Sequence, residues 1–167
     1  MITSIARCAA AAMACGVLAR VAMALLTRRS EPTVSGTVRI LLVFTVAGLA
    51  IGVVGSARTA GRTPWTRIVG LLGLGVFGGA GALLFPSTLA GGVALGRLRS
   101  TRSRRLALAL VVLWVGGVCF ASGGGDDPFG LRFGSARFIS GTMLMAVVGV
   151  AMAYGASQLV RPWRPRP

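Results

Sequence analysis

Five apolar runs, each flanked by polar or arginine-bearing segments, leave this chain one class of fold. They cover residues 8–26, 38–57, 68–96, 106–122 and 138–160 of the 167. A helix needs about 20 apolar residues to cross a hydrocarbon layer about 30 Å thick. Inside that layer every backbone amide must be satisfied by the chain itself, so helices are what such runs can form. The expected fold is therefore all-α and integral to the membrane, a single domain of about five transmembrane helices. Hydrophobic residues make up 54% of the chain, charged residues only 13%, and the mean hydropathy is +0.80. A water-soluble domain of this size is close to excluded by those figures.

Orientation is read from RLRSTRSRR, Arg97 to Arg105, which sets five arginines within nine residues between two apolar runs. A short loop of that charge resists translocation and marks the cytoplasmic side. Arg161, Arg164 and Arg166 fall on the same side, and Asp126 and Asp127 on the other, so the C-terminal tail is expected in the cytoplasm. For the N-terminal half the count hardly discriminates. A single crossing by 68–96 places 11 arginines inside and six outside, Arg20 left aside; a run that enters and returns places 12 inside and five outside. The single crossing is favoured because it needs no irregular backbone in lipid.

The 18 basic residues are all arginine, against three acids, for a net charge of +15. Because they stand at the ends of apolar runs, the partner they imply is a bilayer with anionic headgroups rather than nucleic acid. The absence of lysine, with heavy use of Ala, Gly, Val and Arg, matches the coding bias of a GC-rich bacterial genome. The location expected is accordingly the inner (plasma) membrane. Residues 8–26 read as an uncleaved signal anchor, since Arg20 interrupts the apolar stretch and Arg28 and Arg29 follow as a stop flank.

Arg20 is the one formal charge inside an expected span. Such a charge is a functional candidate by default, but six residues from the span's end its side chain can also snorkel to the headgroups. Cys8 and Cys15, seven apart, share a helix face, and Cys119 stands alone; no CxxC pair occurs, so small hydrophobes in helix contacts are the expected role.

Gly48, Gly52 and Ser56 recur every four residues in the second run. Rows of this kind let helices approach closely where lipid supplies no hydrophobic drive for association. The third run, 68–96, carries nine glycines and would be about 43 Å long as one helix. It must tilt, kink or break, and Pro86, which removes a backbone donor, is the expected place. Gly75, Gly79, Gly92 and Gly96 are its candidate packing positions. The connector GRTPWT, residues 61–66, resembles a turn in a family of small membrane immunity proteins against bacterial toxins, but the Trp and His of that family are missing downstream.

The available chemistry is sparse. There is no histidine, no carboxylate inside a span, no cluster of metal ligands, and neither a GxSxG elbow nor a P-loop. No catalytic residue, cofactor or metal is expected. The polar constellation that remains is the loop carrying Asp126, Asp127, Arg132 and Arg137, which could hold a cation, a headgroup or a partner; a solvated turn before Pro128 is the simpler account. The expected function is a non-catalytic accessory or assembly component of a membrane complex, in contact with partner helices. The alternative is a small-molecule or lipid transporter, exporter or immunity protein with a cavity lined by the Gly-rich third run.

Overall fold

The computed structural model describes residues 2–26, 33–61, 65–75, 85–98, 100–123 and 135–161. All secondary structure among them is helical: α1 Ile2–Leu26, α2 Val34–Thr59, α3 Thr66–Gly75, α4 Phe85–Arg97, α5 Thr101–Gly123 and α6 Ala136–Val160. Four of these, α1, α2, α5 and α6, are long and apolar enough to cross a membrane. At 1.5 Å per residue they are about 35–39 Å long; each begins before its expected span, and α2 and α5 also end beyond theirs.

Local chemistry sets several ends. Thr33 caps α2, its hydroxyl accepting from the Gly36 amide at 3.4 Å, and Ser135 caps α6 by accepting from the Phe138 amide at 3.3 Å. Each satisfies one amide that the first turn leaves without an intrahelical partner. At the other end of α2, Gly61 adopts φ 67° and donates to the Arg58 carbonyl at 3.2 Å, while Ala60 donates to Ser56 at 3.0 Å. A left-handed residue is needed there, and glycine takes it without steric penalty.

Helix α6 is the hub, touching all five others, with α1, α2 and α3 on one flank and α4 and α5 on the other. The main core joins Ala19, Phe44, Ala47, Val54, Leu74, Val148, Ala156 and Leu159; a second joins Leu95, Val111 and Ala153. Close approach depends on glycine. A Cβ at Gly16 would lie 3.2 Å from Phe44 and one at Gly52 3.0 Å from the Ile5 Cα, so α1 and α2 run antiparallel with their backbones nearly in contact. Likewise Gly141 abuts Leu26 and Ala22, which makes α1 antiparallel to α6.

In the 68–96 run, for which a single crossing is favoured from the sequence, the described residues form two short helices, α3 and α4. Gly70 packs on Val54 and Leu159 and Gly73 on Ala50, so α3 runs against α2. Gly91 packs on Val111 and Ala153 and Gly96 on Ser157 and Val160, so α4 runs alongside α6 in the same direction. Because α2 and α6 are themselves parallel, α3 and α4 point opposite ways. Both outer ends meet Arg161: Arg67 donates to its carbonyl at 3.2 Å, and a Cβ at Gly96 would lie 3.5 Å from its amide. Pro86 is the second residue of α4, where its missing N–H is one the helix could not have used. Residues 76–84, with Gly79, lie outside the described residues.

Candidate functional site

Of the polar residues singled out in the sequence, Arg20 finds a partner inside the bundle. Its Nε donates to the Thr37 hydroxyl at 3.0 Å, and Thr37 in turn donates to the Thr33 carbonyl at 3.1 Å. The half-buried side chain thus ties α1 to the start of α2. Pro86 borders a groove of about 320 Å³ between α4 and α5, lined also by Ser87, Ala107, Leu110, Val111 and Trp114, and none of the described residues that line it is charged. Asp126, Asp127 and Arg132 lie outside the described residues, and Arg137 is exposed near the start of α6.

The small-residue positions divide. Gly48 packs on Ala12 and on the Cys8 carbonyl, and Gly52 on Ile5 and Cys8, so both face α1 of the same chain. Ser56, the next in that row, is buried with its hydroxyl oxygen unpaired. Gly92 sits on Ala156 and Gly96 on Ser157, whereas Gly75 has no neighbour within 4 Å of where a Cβ would stand.

The larger feature is a cleft of about 470 Å³ between α1, α2 and α6, extending toward the end that carries Arg161. Its mouth holds Ser4, Arg58 and Gln158, its walls include Cys8 and Cys15, and Phe44 and Leu74 close the inner end. Arg58 spans the mouth: Nη2 donates to Gln158 Oε1 at 2.7 Å and Nη1 to the Gln158 carbonyl at 3.1 Å. Both acceptors sit in the last turn of α6, the negative end of its dipole. Arg161 and Arg67 stand close enough to repel the Arg58 charge. Among the described residues there is no carboxylate to balance the three, and no group of metal ligands. The cysteines are free thiols.

This cluster was not anticipated. One signal was present: Gln158 is the single amide side chain in the chain, and it falls inside an expected span. A polar residue there has to find a partner across a helix contact.

Comparison with family models, with characterised proteins and with solved structures finds no match to this chain.

Proposed function

We propose that the chain is a non-catalytic accessory or assembly component of a bacterial inner-membrane complex, crossing the bilayer with α1, α2, α5 and α6. In this reading α3 and α4 enter from the cytoplasmic side and return to it. The observation that carries the orientation is the segregation of charge: among the described residues Arg7, Arg58, Arg67, Arg97, Arg102, Arg104, Arg105 and Arg161 belong to one end of the bundle, against Arg20, Arg39 and Arg137 toward the other. That distribution supports a cytoplasmic arginine-rich end carrying both termini.

The subunit role is supported by what the helices leave outward. Within their apolar windows α1 and α5 are each only 17% buried, and Gly116 and Gly117 of α5 have nothing within 4 Å of a Cβ position. Those surfaces are available to partner helices. A route for a polar solute beside Pro86 draws no support from the uncharged groove there. Purification in mild detergent tests the reading: the chain should elute with a defined membrane partner, and a monodisperse lone protein would overturn it.

A further inference from the structure

We infer that the cleft between α1, α2 and α6 is a binding site for an anionic phospholipid, its phosphate at Arg58 and one acyl chain lying inward toward Phe44. Three observations converge on this. The first is polarity: Ser4, Arg58 and Gln158 stand at the mouth, while Gly48, Ile51, Gly52 and Met152 line the interior and Phe44 ends it. The site is polar at the headgroup level and apolar below, which is the profile of a lipid.

The second is size. Arg58 and Phe44 are 14 residues apart on one helix, about 21 Å along its axis. One leaflet contributes about 15 Å of hydrocarbon, half of a core of about 30 Å, so the cleft accommodates the chain of a single leaflet. Its volume of about 470 Å³ falls in the range of ligand sites, about 300–1,000 Å³. Gly55 on its wall has no atom within 4 Å of a Cβ position, so the space is open there.

The third is charge. Arg58 is held by two oxygens of a neutral residue, Gln158, and is repelled by Arg161 and Arg67. The acids of the chain are Glu31, between α1 and α2 in sequence, and Asp126 and Asp127, between α5 and α6; none is among the described residues. The counter-charge that a membrane offers to guanidinium groups at its surface is phosphate, whose oxygens match the guanidinium fork.

The inference rests on the membrane reading and not on the existence of a protein partner, which is absent from its test. The full chain in detergent is titrated with phosphatidylglycerol, with phosphatidylcholine of the same chains, and with glycerol 3-phosphate, and adducts are counted by native mass spectrometry. Phosphatidylglycerol should form a one-to-one adduct at least about fivefold tighter than phosphatidylcholine, and glycerol 3-phosphate should form none. Arg58→Gln should weaken the adduct about five- to tenfold. Gly55→Leu, which fills the cleft and leaves the arginines in place, should remove it, and Arg137→Gln at the far end should not change it. Equal affinity for the two lipids overturns the proposal, as does equal binding of glycerol 3-phosphate or an adduct that survives Gly55→Leu. Should Arg58→Gln fail to fold, the Gly55→Leu protein and the lipid comparison still decide.

Discussion

The guanidinium of Arg58 clasps Gln158 twice, at its backbone carbonyl and at its side-chain oxygen, across 100 residues of sequence. The clasp joins the last turn of α2 to the last turn of α6 and so fixes two helices in parallel. Parallel neighbours cannot be linked by a short loop, so their alignment depends on contacts such as this one.

Removing the acceptor should loosen that alignment. Gln158→Ala deletes the 2.7 Å bond while sparing the carbonyl, and a hydrogen bond to a charged group is worth about 1.5–3 kcal/mol. Thermal unfolding in detergent should show a lower midpoint. Gln158→Glu sets a carboxylate among Arg58, Arg67 and Arg161 and should raise it; a midpoint below that of the parent would contradict this account of the charge cluster.

The reversal of direction between α3 and α4 has a plain chemical readout. In a background lacking Cys8, Cys15 and Cys119, Trp65→Cys and Arg104→Cys should both be labelled by an impermeant maleimide from one and the same face of the membrane. Val34→Cys should be labelled from the other. A single crossing by 68–96 would put Trp65 and Arg104 on opposite faces.

Glycines with the same sequence signature should respond in opposite ways. Gly48→Leu drives a side chain into Ala12 and the Cys8 carbonyl, and overpacking of this kind costs about 1–3 kcal/mol. Gly55→Ala meets open space and should stabilise α2 by about 0.5–1 kcal/mol through helix propensity. Chemical denaturation in mixed micelles compares the two; similar losses from both would show that the α1 to α2 contact is not set by Gly48.

Arg20 and Thr37 should be energetically coupled. A double-mutant cycle with Arg20→Ala and Thr37→Val isolates the 3.0 Å bond, with an expected coupling of about 0.6 kcal/mol, typical of interhelical hydrogen bonds in membranes. Additive effects would return Arg20 to a purely snorkelling role.

Hydrophobic run length and arginine flanks made the four long helices legible, because the requirement to satisfy backbone amides in lipid leaves apolar runs little choice. The course of 68–96 was not legible for a related reason. One tilted helix and two opposed short ones share the same apolar composition, and the arginine count changes by only one between them. What separates them is where Gly70, Gly73, Gly91 and Gly96 meet α2 and α6, a relation between distant segments that no local pattern encodes. The Arg58 and Gln158 pair was hidden in the same way, although a lone glutamine in an apolar run marked one half of it. Arg20 was recognised as unusual from its position, but only the neighbouring Thr37 turned an unusual charge into a structural tie.

The packing of α4 also bears on how the protein is made. Its neighbours are α5 and α6, and both leave the ribosome after it. The glycine face therefore closes in two steps, Gly91 on Val111 once α5 is made, and Gly92 and Gly96 on Ala156, Ser157 and Val160 only when synthesis reaches the end of α6. At 13 residues α4 is about half the length of those neighbours, so it settles into a slot that later helices build around it. Assembly of this bundle is thus completed from its C-terminal end backward.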